Sequence, residues 1–113
     1  MAADLNLEAL RDEIDKIDEV IVRLLDSRAR CAYTIGRLKH ALGRPVYEPQ
    51  REAAVIAHVR KVNEGLGGPL DGDAVARLYE RIMDEARRIQ RLEAERDAQR
   101  NNEEQFSNNK AES

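Results

Sequence analysis

Apolar residues recur at alternating steps of three and four from Leu7 through Leu10, Ile14, Ile17, Ile21, Leu24, Cys31, Ile35 and Leu38 to Leu42, with no proline in between. Strand faces alternate every second residue, so a repeat of 3.5 fits only a helix. The spacing predicts one helix over 7–42, opened by Asn6 as an N-cap with Leu5 and Leu10 stapled around it. At ~1.5 Å per residue such a helix is roughly 54 Å long, about twice the ~26 Å that two gyration radii of a 100-residue domain span. One position in the series, 28, is arginine. Taking an unpaired guanidinium out of water costs several kcal/mol, so Arg28 on a buried seam calls for an anionic partner, either a side chain or a ligand.

Downstream, Gly43, Arg44 and Pro45 interrupt the pattern, and Pro49 suits the first turn of a second helix with Glu48 before it. That helix is expected to run to about Asn63, with Val55, Ile56, Val59 and Val62 as its short apolar face and Glu52 one turn before Ile56. The run Gly65 to Pro69 reads as a loop. Leu70 and Val75 staple around Asp71 to open a third helix whose face reads Val75, Leu78, Tyr79, Ile82, Met83, Ala86 and Ile89, continued by Gln90. We expect a helical domain over 1–96. Residues 97–113, rich in Asn, Gln, Glu and Ser, are expected to be a disordered tail. The fold class is all-α, three helices of unequal length. The two shorter helices do not suffice to cover the long seam, so the first helix is expected to pair with its copy in an intertwined homodimer.

Composition narrows the function. Only 4% of residues are aromatic against 42% apolar, so the core is aliphatic. Fifteen of the 19 basic residues are Arg, scattered among 22 acids for a net charge of −3, which is no footprint for nucleic acid. Absence of a long apolar run and of a basic leader points away from membrane and secretion and toward the cytoplasm. Cys31 lies on the seam and is expected as a core thiol. His40 and His58 have no ligand cluster at metal spacing, so no metal is expected.

Lys39 follows Arg28 by eleven residues, three turns within ~20° and roughly 16 Å of rise. Both cations therefore face one way and could frame a small dicarboxylate. Arg11, about 25 Å from Arg28 and ~100° around the helix, cannot reach that pocket in its own chain. In an antiparallel pair it can enter the partner's site. Each residue alone has a plainer explanation: Arg11 is flanked by Glu8 and Asp15, Glu52 could pair with a core arginine, and Gln90 could end a seam. Their convergence, with Arg51 beside Glu52, describes a site rich in anion donors and without a nucleophile and base, suited to holding and electrostatic stabilisation.

On these residues the chain resembles the all-helical chorismate mutases, over about residues 5–95. The carriers are Leu10-Arg11 with Ile14 to Asp18, Leu24 to Arg28, Ile35 to Lys39, Arg44-Pro45-Val46, Glu48 with Arg51-Glu52, and Gln90. The resemblance implies rearrangement of chorismate to prephenate without a cofactor. It implies that Arg28 and Arg11 of the partner subunit grip carboxylates, that Lys39 and Gln90 donate to the ether oxygen, that Glu52 and Glu48 position the ring hydroxyl, and that Arg51 supports the carboxylate side. Two positions depart from the best-known members: Ala86 stands where they carry serine, which removes a hydroxyl donor, and Glu48 stands where aspartate is common. The scaffold is shared with an isochorismate pyruvate-lyase, which carries an apolar residue in place of Glu52. A non-catalytic dimerisation module with Arg28 as a register-setting residue is the alternative from another class.

Overall fold

Three α-helices follow one another in the computed structural model, which describes residues 6–112: α1 Leu7–Ala41, α2 Pro49–Leu66 and α3 Gly72–Glu112. The chain divides into two compact units, one ending at Cys31 and the other beginning at Ala32.

The first unit is helix alone. Asn6 caps it by accepting a hydrogen bond from the Ala9 amide at 2.7 Å, satisfying one of the free N–H groups of the first turn. Leu5, the expected staple partner, lies outside the described residues. No described residue of this unit is buried. Its seam residues Leu10, Ile14, Ile17, Ile21 and Leu24 are each at least 47% exposed, and Cys31, expected in a core, is exposed as well.

The second unit contains the end of α1, α2 and α3. Gly43 terminates α1 in the left-handed region at φ 66°, where a Cβ would be strained. Its amide bonds the His40 carbonyl at 3.2 Å and that of Arg44 bonds the Lys39 carbonyl at 2.8 Å, the paired closure of a Schellman motif. This closure turns Arg44-Pro45-Val46 back along the helix end. The N-cap of α2 is Glu48, whose side chain makes no cap bond, while Pro49 occupies the first turn. α2 continues to Leu66, past the expected end near Asn63, because Gly65 is accommodated in the last turn and the left-handed residue is Gly67.

The core of this unit is small: Ala32 from the end of α1, Val55 from α2, and Val75, Ala76 and Met83 from α3, with half-buried Ile56, Val59, Ile82 and Ala86. Asp71 caps α3 through the Ala74 amide at 2.7 Å, and Arg60 reaches Asp73 at 2.9 Å across the α2–α3 turn. α3 does not stop near Arg96. The expected disordered segment 97–113 is helical through Glu112 as far as it is described. Few apolar residues were the reason to expect disorder. Yet no proline or glycine follows Gly72, Gln, Glu, Arg and Ala are good helix formers, and local pairs sustain the turns: Arg100 with Asp97, Gln99 with Glu103, and Lys110 over the Phe106 ring.

If Asp71 fixes the start of α3, Asp71→Ala lowers unfolding free energy by about 1 kcal/mol in urea titration with the slope unchanged.

Candidate active site

Lys39 lies in the last turn of α1, and its side chain is only 11% exposed. Its ammonium meets three acceptors from three segments: the Val46 carbonyl at 2.7 Å, the Glu48 carboxylate at 2.8 Å and Gln90 Oε1 at 3.1 Å. All three of its N–H groups are thus used, which is what a desolvated ammonium requires. The Gln90 amide is buried and completes the chain of bonds by donating from Nε2 to the Ala32 carbonyl at 3.0 Å. Because Lys39 can only donate, the amide atom beside it must be the oxygen, so the orientation of Gln90 is set by its neighbours.

Gly36 makes this arrangement possible. A Cβ there would stand 2.9 Å from Gln90 Cγ and 3.2 Å from its Cα, so α1 and α3 approach as they do only because the position has no side chain. The hydrogen bond from Lys39, reinforced by its charge and by Arg44 and Arg51, holds the Glu48 carboxyl below the usual carboxylate range. This also explains the missing cap bond: Glu48 turns to the lysine.

Glu52 is half-buried on the first turn of α2 and is bonded by Arg87 of α3, which also engages Asp84. The sequence reading allowed for such a core arginine without identifying it. Arg87 lies with its guanidinium 5.6 Å from the centroid of the Tyr47 ring, and its carboxylate partners raise its pKa further above an already high value. Arg51 is exposed and acts on the site through its field at Glu48. Ala86 is half-buried on the inner face of α3, one turn before Gln90. Of the first unit, Arg11 is exposed and pairs with Glu8 at 3.4 Å, and Arg28 is half-buried on the seam.

Sequence reasoning singled out Lys39, Glu48, Glu52 and Gln90, all of which lie in the second unit, and Arg11 and Arg28, which lie in the first. It missed Arg87, the Val46 and Ala32 carbonyls, the role of Gly36, and Glu93. Backbone acceptors carry no side-chain signal. Gly36 was visible as the lone glycine inside a long helix. Glu93, one turn beyond Gln90, is 3% exposed, with Arg100 at 3.2 Å and Arg37 at 4.0 Å. A neighbouring carboxylate, Asp97, is held below its ordinary pKa by Arg100 and faces His40 at 3.7 Å. The Arg37–Glu93 and His40–Asp97 pairs link the end of α1 to α3 just past the lysine–glutamine contact. Among the described residues no cluster of three metal-ligating side chains occurs, and no helix is long and apolar enough to cross a membrane.

The site can therefore present two buried donors, an ammonium and an amide, from adjacent helices, with carboxylates on the α2 side. Residues 10–91 match the family described as chorismate mutase type II. The chain is 46% identical over 88 residues to the bifunctional chorismate mutase/prephenate dehydratase of Pseudomonas aeruginosa, covering 74% of this chain and 23% of that protein. It is 34% identical over 56 residues to a chorismate mutase of Methanocaldococcus jannaschii, half of this chain and 57% of the other. A solved chorismate mutase (form II) from Thermus thermophilus superposes with a TM-score of 0.71 at 33% identity, over 75% of this chain and 93% of that one. The chain spans about a quarter of the length of the bifunctional relatives it matches, 23% in the case above.

Glu48 gains its depressed pKa only in the folded protein, so its pairing with Lys39 stabilises the fold above the unfolded-state value of about 4.3 and ceases to do so as pH falls through the lower folded value. Accordingly, Glu48→Gln lowers the melting temperature at pH 7, and the gap to the wild type closes as melts are repeated toward pH 3.

Proposed function

The chain belongs to the type II chorismate mutase family, and from that premise we propose that it rearranges chorismate to prephenate in a helical homodimer with shared sites. The observation that carries the reading is the Lys39–Gln90 pair on adjacent helices, in which Lys39 donates to Gln90 Oε1 at 3.1 Å while the amide Nε2 of Gln90 donates to the Ala32 carbonyl. The reaction breaks the ether C–O bond as a C–C bond forms within one molecule. No proton, electron or covalent adduct has to pass through the protein, and no cofactor is needed. What accelerates it is restriction of the enolpyruvyl arm over the ring and stabilisation of the negative charge growing on the ether oxygen.

Lys39 and Gln90 are assigned to that oxygen. The Gln90 amide has a second N–H besides the one on Ala32, and Lys39 can exchange its most exposed acceptor, Glu48, for substrate. A neutral amide donates without being protonated. Glu52, with Glu48 nearby on the chain, is assigned to the ring hydroxyl, and Arg51 to support of the carboxylate side. Arg28 and Arg11 of the partner subunit are assigned to the substrate carboxylates as bidentate forks. Ala86 removes one hydroxyl donor from that carboxylate site, a loss that weakens binding more than it alters the reaction.

The exposed seam of the first unit, apolar from Leu7 through Leu24, supports the homodimer. A second copy supplies the matching surface by symmetry. Of the two activities in the names of the bifunctional relatives, the match over residues 10–91 supports the mutase. We assign the enzyme to the cytoplasm, with a soluble metabolite as substrate.

Incubation with chorismate should give prephenate, and with isochorismate no pyruvate. Pyruvate from isochorismate without mutase turnover would mean the lyase, and no turnover of either would leave a dimerisation module. Gln90→Ala should lower kcat by about 10²- to 10³-fold if the amide stabilises the ether oxygen.

The shared site makes a separate prediction. Arg11→Ala and Arg28→Ala chains are each inactive, but mixed in equal amounts and allowed to exchange they should regain about a quarter of the wild-type sites, since half the dimers are hybrids with one intact site of two. Hybrids that form and stay inactive would refute sharing.

A further inference from the structure

Arg87 has no place among the roles assigned above, yet it is bonded directly to one of the residues that has. It stands on α3 three residues before Gln90, engages Glu52 Oε1 through one guanidinium nitrogen and Asp84 through another, and covers the Tyr47 ring. Its side chain and that of Glu52 are 22% and 23% exposed. We infer that Arg87 is a positioning residue for Glu52, compensating its charge so that a carboxylate can serve in a site for a doubly anionic substrate. The inference rests on the chorismate mutase reading.

The need for such a residue follows from the chemistry of the substrate. A carboxylate is the strongest available acceptor for a ring hydroxyl, but unpaired and partly desolvated it repels a molecule bearing two carboxylates. Protonating Glu52 would end the repulsion and lose the acceptor. A guanidinium bonded to Oε1 offsets the charge of Glu52, the more buried of its two carboxylate partners, Asp84 being half exposed and screened by solvent, and leaves Oε2 to accept the hydroxyl, for which no competing donor is found among the described residues. The guanidinium is itself fixed on three sides, by Glu52, Asp84 and the Tyr47 ring, so it sets the direction of the carboxylate as well as its charge. A lysine would supply charge without that planar fork.

The test is a kinetic cycle on the full chain with chorismate, comparing wild type, Arg87→Ala, Glu52→Gln and the double variant. Arg87→Ala should raise KM at least tenfold while kcat falls less than threefold. In the Glu52→Gln background, where no charge needs compensation, the same change should raise KM less than threefold. Should Arg87→Ala not fold, Arg87→Gln keeps the stem without the charge and is read identically, and Arg87→Lys should restore most of the lost affinity. An unchanged KM, or equal losses in both backgrounds, overturns the inference while leaving an active wild type and its mutase reading intact. A wild type that does not turn over chorismate overturns both.

Discussion

Desolvation of the Lys39 ammonium is the constraint around which the second unit is arranged. An ammonium that is nine-tenths covered is tolerable only if every N–H is bonded. Its three acceptors come from the connection after α1, the N-cap of α2 and the middle of α3. Each acceptor is itself held by something else: Val46 by the Schellman closure at Gly43, Glu48 by its place before Pro49, Gln90 by the Ala32 carbonyl and by Gly36. The lysine thus ties three segments together at one point. With only a handful of residues in the apolar core of this unit, such a polar junction matters for specifying one arrangement of the helices. Among the described residues no buried side-chain polar atom lacks a hydrogen-bond partner.

Apolar surface is distributed in the opposite way. The second unit covers Val55, Val75, Ala76 and Met83, whereas the first leaves its whole series exposed. A helix of this length with a bare seam gains most of its stability from packing rather than propensity. If the seam is closed by a second copy, folding and association become one equilibrium and stability depends on concentration. Under the proposed function, Arg28 would mark a place on the seam where a ligand, rather than another leucine, meets the interface.

The three helices were legible because their signals are local. Asn6, Pro49 and Asp71 stand at the starts, and a 3.5 or 3.6 repeat runs between them. The end of α3 was not, since apolar content says little about a helix held by Arg100 with Asp97 and Glu93. Site residues were legible in proportion to how far they violate the pattern of their helix. Lys39 in phase with Arg28 and Gln90 on an apolar face stood out, while Arg87 did not, being one arginine among fifteen. What connects it to Glu52 is the packing of α2 on α3, a tertiary relation that spacing along one helix cannot encode. Lys39 with Val46, and Gln90 with Ala32, escape for a further reason: the acceptors are carbonyls, which every residue possesses.

The bonds of Lys39 also bear on how this site would gain rate rather than affinity alone. Its donors are occupied by protein acceptors, so on the proposed reading a substrate oxygen must displace one, and an ether oxygen in the ground state is a weaker acceptor than the Glu48 carboxylate it would replace. The exchange is unfavourable or neutral on binding and becomes favourable as negative charge develops on the oxygen. An interaction with that profile strengthens toward the transition state, which is the condition for raising kcat instead of merely lowering KM. Gln90 differs, since its free N–H can meet the oxygen without giving up Ala32. On the proposed reading the two donors would divide the work, the amide fixing the oxygen in place on binding and the ammonium engaging fully only as the bond breaks.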